Sequence, residues 1–255
     1  MAHELSVRKN GFVEMAFVGD TPWHGMGQEL EEDASIEEWR VAAGMDWEIQ
    51  KSPVEYTLEG DMFSIPFPGQ NVLHRSDTHA PLGIVSDRYN PVQPGEILEF
   101  FRDLMDENDF KIRTAGTLFG GKRFWALAET GQFGEVCNDD GLGGFLLLSS
   151  SCDRTLATTA RFTTIRVVCN NTLSLAHNDM ANSVSFSHIK SFNHAAVKQQ
   201  LGEAVASFGA FMGMAQSLQE QKLSSKDAVA FLADLLTPVT QVKEENYDIA
   251  DNRAY

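Results

Sequence analysis

Apolar positions recur at helical spacing in several stretches of the chain. Ile36, Trp39, Val41 and Ala43 follow an Asp33–Ser35 start with acids in the first turn, which predicts a short helix ended by Gly44. Ile97, Leu98, Phe101, Leu104 and Met105 form a second stripe. It predicts an amphipathic helix over 96–108, behind a Pro94 suited to a first helical turn. Val197, Leu201, Val205, Phe208, Met212 and Leu218 lie near a 3.6 period and predict a long helix over 194–218. A last helix is predicted from 224 to Leu236, stopped by Pro238.

Between these stripes the period falls to two. Residues 54–75 alternate imperfectly and are broken by Gly60, Pro66, Pro68 and Gly69, which predicts a hairpin with an edge strand. Leu82 to Val85 reads as a short strand. The runs 110–118 and 123–129 flank Phe119-Gly120-Gly121-Lys122, a strong hairpin signal. The apolar run within 143–151 suits a central strand, and the β-branched runs 155–159 and 163–169 suit two more. A short helix over 170–177 and a strand over 184–189 complete the pattern. The expected fold is α+β: a mainly antiparallel sheet with covering helices and a helical C-terminal part. Residues 1–55 read as an irregular acidic N-terminal segment, 56–192 as an α+β core and 193–255 as a helical segment, all in one cooperative domain.

Composition narrows the class. The 255 residues are 43% hydrophobic and 22% charged, which are globular values. The sequence has no run of eighteen apolar residues and no apolar segment behind Met1, so neither a membrane span nor a secretory signal is expected. Cys137, Cys152 and Cys169 are odd in number and lack Cys-x-x-Cys spacing, which predicts buried thiols in a reducing, cytoplasmic setting.

Charge changes the picture further. The net charge is -16, but it divides into -15 over residues 1–109, +3 over 110–200 and -4 over 201–255. A local cationic surface can bind an anion on an acidic protein, because screening removes distant charge within about 8–10 Å. The densest stretch is Asp153 to Thr172, where Arg154, Arg161 and Arg166 recur among hydroxyls around Phe162. Arginines and hydroxyls donate to phosphates, and an aromatic ring among them offers a platform for a base. With the hairpin-tip cations Lys122 and Arg123, and with Lys190, these residues form the candidate nucleic-acid surface: Lys122, Arg123, Arg154, Arg161, Phe162, Arg166 and Lys190.

Other motifs carry less. Gly120-Gly121-Lys122-Arg123 leads into a strand rather than a helix, so it is a hairpin tip and not a nucleotide loop. His74-Arg75-Ser76-Asp77-Thr78-His79 has metal-ligand types but no second ligand cluster, and reads as a surface turn. Pro22-Trp23-His24-Gly25-Met26-Gly27 reads as a tight turn burying its indole, with a ligand-contacting loop as the alternative. Gly-x-Ser-x-Gly is absent, and the serines at 149–151 have no local histidine. No metal, cofactor or catalytic set is expected, and nothing argues positively for an enzyme.

Pro22 to Gly27, Leu82-Gly83-Ile84-Val85 with Tyr89, Pro91 and Val92, Thr114 to Gly121, and Arg166 to Leu173 together resemble the phage/plasmid-like proteins of the "domain of unknown function 932" group. The resemblance implies a role in mobile-element DNA metabolism. Members usually run on into an aromatic-containing segment, so the natural protein is expected to continue beyond Tyr255. A more distant, fold-level likeness links the strand-rich middle and helices to single-strand annealing proteins. The expected function is single-stranded nucleic-acid binding of annealing type, without catalysis, by a homo-oligomer joined through the 194–218 helix. The alternative is a protein-interaction factor that acts as an acidic mimic or inhibitor of a host nucleic-acid-binding protein.

Overall fold

The computed structural model describes residues 3–60, 62–107, 110–137, 140–178, 183–186, 208–209, 211–218 and 220–236. The chain divides into two compact units, Met1–Gly213 and Met214–Tyr255.

The first unit is built on a seven-stranded sheet. Its backbone is a meander of β6 (Lys111–Leu118), β7 (Arg123–Cys137), β8 (Asp140–Ser151), β9 (Thr158–Thr163) and β10 (Ser183–Phe186), all antiparallel. A 3-10 turn at Phe119–Gly121 joins β6 to β7, where the Gly-Gly hairpin was expected. On the other side of β6 lie β1 (Met15–Phe17), antiparallel to it, and β2 (Gln28–Glu29), parallel to β1. The α+β, mainly antiparallel expectation holds, but the antiparallel strands form two sheets. A second sheet of β3 (Ile49–Tyr56), β4 (Ile65–Arg75) and β5 (Pro81–Ser86) stands apart from the first.

Alternation along the central strands loads both faces of the large sheet. Phe124, Ala126 and Ala128 of β7, with Leu146 and Leu148 of β8, face the larger core. Helices α1 (Ile36–Ala42) and α2 (Pro94–Glu107), the loop after α1 and the smaller sheet supply Trp39, Trp47, Leu73, Phe100 and Phe101 to that core. Trp125, Leu127 and Leu147 face the opposite way, into a core closed by Val167, Val168, Cys169 and helix α3 (Asn170–Asn178). Gly116 pairs with Trp125 across the sheet, and a Cβ there would sit 2.5 Å from the indole, so only glycine lets that ring lie flat on β6. Cys152 and Cys169 are buried, as expected.

The N-terminal segment is not irregular. It contributes β1, β2, α1 and nearly all of β3. Ser35 accepts from the Glu38 N–H while the Glu38 carboxylate accepts from Ser35, a full capping box. Glu14, at the head of β1, is buried beside Arg75: two guanidinium nitrogens reach its carboxylate at 2.7 and 3.0 Å. Arg8 and Thr117 also donate to Glu14, and Arg75 stacks over Trp47 at 4.2 Å. This network ties β1, the β4–β5 turn and β6 together. The His74-to-His79 segment is thus a turn, but its arginine points inward.

The strand expected over 163–169 is not formed. β9 ends at Thr163, and the next residues cross to the start of α3 as irregular chain whose Val167 and Val168 are core. Of the helix expected over 194–218, residues 211–218 are helical and residues 194–207 lie outside the described residues. Phe208 and Met212 are buried; Phe208 meets Phe162, and Met212 lies against Gly134. In the second unit, α4 (Ser225–Leu236) starts with Ser224 and Asp227 capping one another.

Candidate nucleic-acid interface

The turn after β6 and the loop after β8 meet at one corner of the large sheet. Arg123 opens β7 opposite Ser151, the last residue of β8. The Cys152 N–H then donates to the Lys122 carbonyl at 2.9 Å. These pairings bring Lys122, Arg123 and Arg154 to the same corner. Asp153 accepts from the Thr155 N–H at 3.0 Å and from its hydroxyl, an Asx turn that holds Arg154 at φ 67 with its side chain exposed. A non-glycine residue in the left-handed region is uncommon and is sustained here by that turn. Burial pushes the Asp153 carboxyl up, but hydrogen bonds from Thr155 and Ser151 and the charge of Arg123 outweigh it and hold it below the usual range.

An open cleft of ≈ 200 Å³ lies beside this corner, lined by Arg123, Thr155, Leu156, Leu173, Ser174 and His177. The Arg123 guanidinium donates to the Thr155 hydroxyl at 3.0 Å and stacks over Phe119 at 5.1 Å. His177 shares a 3.0 Å hydrogen bond with Ser149. Burial, aided by the charges of Arg161 and Arg123, pushes the His177 imidazole down to about 4, so it is neutral at pH 7. Ser149 therefore has a histidine partner that sequence distance hid, 28 residues away. Its hydroxyl is completely buried in β8, so the pair fixes the imidazole at the cleft wall and presents no nucleophile to solvent. The cleft offers one guanidinium, two hydroxyls, a neutral imidazole and two leucines, a set that suits a phosphate with an apolar neighbour.

The other expected site residues lie elsewhere. Arg161 is only 4% exposed and donates to the Ala176 carbonyl, clamping α3 to β9. Phe162 is half-buried, edge-on to Phe208 at 5.5 Å and packed over Gly144, where a Cβ would come within 2.7 Å of its ring. Arg166 donates to the Val18 carbonyl at 3.2 Å; burial and Arg113 hold its guanidinium below the usual value, against the pull of Asp20. Lys190 lies outside the described residues.

The aromatic ring open to solvent is Trp23 rather than Phe162. The turn Pro22 to Gly27 does not bury its indole, which is 68% exposed. His24 anchors the turn instead: the Met26 N–H donates to Nδ1 at 3.1 Å, leaving Nε2–H to donate to the Val168 carbonyl at 3.2 Å. Burial keeps the His24 imidazole below its usual value. His3 meets Trp23 edge-on at 4.7 Å, and its carbonyl accepts from the Asn170 N–H at 3.1 Å. The next carbonyl, Glu4, accepts from the Phe119 N–H at 3.0 Å. Residues 3–5 thus run as a short bridge from the exposed indole to the ring beneath Arg123. The unusual exposure of Trp23 is what sequence reasoning missed; the Trp-His-Gly spelling was its only signal.

Two acids of the N-terminal segment pair with cations outside this corner. Glu32 meets Arg113 at 2.6 Å and Lys111 at 3.8 Å, and Glu37 meets Arg102 at 2.6 Å. Among the described residues, no cluster of three or more His, Cys, Asp or Glu side chains is placed to hold a metal ion, and no helix is long and apolar enough to cross a membrane.

A sheet with helices on both faces and a cationic, aromatic corner defines an α+β protein with a polar surface cleft. The chain belongs to the family described as "Domain of unknown function (DUF932)", whose model matches residues 81–254. Lys122, Arg123, Arg154 and His177 fall inside that match; Trp23 and the first two strands of the smaller sheet precede it. No curated protein and no solved structure matches the chain.

Proposed function

We propose that this protein binds single-stranded nucleic acid, without catalysing a reaction on it, at the corner formed by Lys122, Arg123 and Arg154. In this reading it acts as an annealing-type factor in the DNA metabolism of a phage or plasmid, in the cytoplasm and as a homo-oligomer. The observation that carries the reading is an open, hydroxyl-lined cleft with Arg123 in its wall, beside the corner to which the β7–β8 pairing also brings Lys122 and Arg154, and linked through residues 3–5 to an exposed indole. Lys122, Arg123 and Arg154 take the phosphates and Trp23 stacks on a base. The acidic-mimic alternative rests on the N-terminal carboxylates, two of which, Glu32 and Glu37, are neutralised by Arg102, Lys111 and Arg113 of the same chain.

Tryptophan fluorescence tests the reading. Trp39, Trp47 and Trp125 are buried, so Trp23 is the one indole open to a base. Adding a single-stranded oligonucleotide is expected to quench part of the emission, and Trp23→Phe is expected to abolish that quenching. Trp23→Ala should weaken binding by ~1–3 kcal/mol with little change in its salt dependence. Binding that leaves the emission untouched would remove Trp23 from the interface. No binding at low salt would end the proposal.

A further inference from the structure

The smaller sheet ends in an arm. β5 pairs with β4 only as far as Gln70, opposite Ser86. Past Gly69, whose carbonyl accepts from the Asp87 N–H at 3.3 Å, β4 pairs only with β3 among the described residues, through Glu55 opposite Pro66 and Tyr56 opposite Ile65. Every described residue from Glu55 through Gly69 is exposed. Tyr56 and Ile65 share one face because they are a cross-strand pair, and Phe67 follows two residues on. Leu58, Met62 and Phe63 extend the apolar surface into the loop, with Met62 92% and Phe63 82% exposed.

Such an arm does not stand alone easily. A two-stranded hairpin is at best marginally stable in water, and most monomers keep their largest apolar patch near 300–600 Å². The six side chains here expose roughly 700 Å² of largely apolar surface, close to the ~800 Å² that one partner gives to a standard interface. Chemistry narrows what covers it. From Val54 to His74 there is no Lys or Arg, while Glu55 and Glu59 lie on the arm, so phosphate-bearing partners, whether nucleic acid or anionic lipid, are repelled. Pro66 and Pro68 carry no N–H, which denies an incoming strand a regular ladder along that edge. What remains is packing of side-chain faces, and an identical face on a second copy satisfies a two-fold contact automatically.

We propose that the apolar face of the β3–β4 arm is a homodimer interface, in which the arms of two copies pack face to face. This inference is independent of nucleic-acid binding and places the self-association surface on the arm rather than on the 194–218 segment. Sedimentation equilibrium of the full chain over ~1–100 μM tests it. The wild type is expected at twice the chain mass. Phe63→Ser with Phe67→Ser, both at exposed positions, should weaken dimerisation at least ~10-fold, by ~1.4 kcal/mol or more, with unchanged circular dichroism and melting temperature. Phe133→Ser, an exposed aromatic on the large sheet, should leave the dimer intact. Added salt should tighten the dimer, because Glu55 and Glu59 of the two copies are brought together and screened. A monomeric wild type throughout, a double variant as dimeric as the wild type, or a dimer that salt dissociates would each overturn the proposal.

Discussion

At the scale of single residues, burial sorts one sequence cluster into two roles. Arg154 is exposed on its Asx turn, whereas Arg161 spans the gap between β9 and α3. Arg161→Ala should therefore lower stability and loosen α3 while leaving the salt dependence of ligand binding unchanged. Chemical denaturation and amide exchange of the α3 residues would check this. Phe162→Ala should cost roughly half of the ~3–5 kcal/mol of a fully buried phenylalanine, because its ring is only partly enclosed by Phe208 and Gly144. His177 adds a pH dependence. Its folded value of about 4 lies below the 6.5 of an exposed imidazole. Between those values the unfolded chain binds the extra proton, so stability falls as pH drops from about 6.5 towards about 4. His177→Asn should flatten that part of a stability–pH profile; a slope that persists in the variant would assign it to other groups. Asp77, held below the usual carboxylate range by its hydrogen bond to Arg75, adds stability that is lost at still lower pH, as its folded value is crossed.

At the scale of elements, the β6–β7 hairpin, β8, α2, α3 and α4 were legible in the sequence. Each has a strong period, a cap or a Gly-Gly turn inside a local window. β1 and β2 were not, because they have three and two residues and gain their order from a partner far along the chain: Ala16 pairs with Ala115. No local pattern records such a pairing. β9 misled for a different reason. Five of its six residues are buried, on both faces, so alternation could not separate an inward Arg161 from an outward one. The cations of the site were legible as charges among hydroxyls. The exposed indole was not, since an apolar residue in a tight turn ordinarily packs inward. The Glu14–Arg75 pair was equally hidden, because a buried ion pair across 61 residues leaves no mark on hydrophobic periodicity. Removing one partner of such a pair strands a buried charge, so Arg75→Ala should destabilise the first unit by ~3–5 kcal/mol. Thermal unfolding of the variant would show it, and a loss below ~1 kcal/mol would mean that the network is not a keystone of the fold.

At the scale of the whole molecule, the uneven charge takes on a spatial meaning. Much of the basic middle is consumed internally, by the main-chain contacts of Arg161 and Arg166 and by the pairing of Arg113 with Glu32 and Glu129. Among the described residues of that middle, the cations left for a ligand are Lys122, Arg123 and Arg154, on a protein of net charge -16. Their attraction for phosphate is short-ranged and opposed by the rest of the molecule, so binding should be strong only at low ionic strength. One measurement addresses this most directly: titration of a fluorescent single-stranded oligonucleotide against wild-type protein and a Lys122→Ala, Arg123→Ala, Arg154→Ala variant across a salt series. Each lost phosphate contact should reduce the slope of log affinity against log salt by ~0.7, so the triple variant should bind weakly and with a slope shallower by ~2. Wild-type protein that binds nothing at ~50 mM salt, or a triple variant with unaltered affinity and slope, would contradict the account.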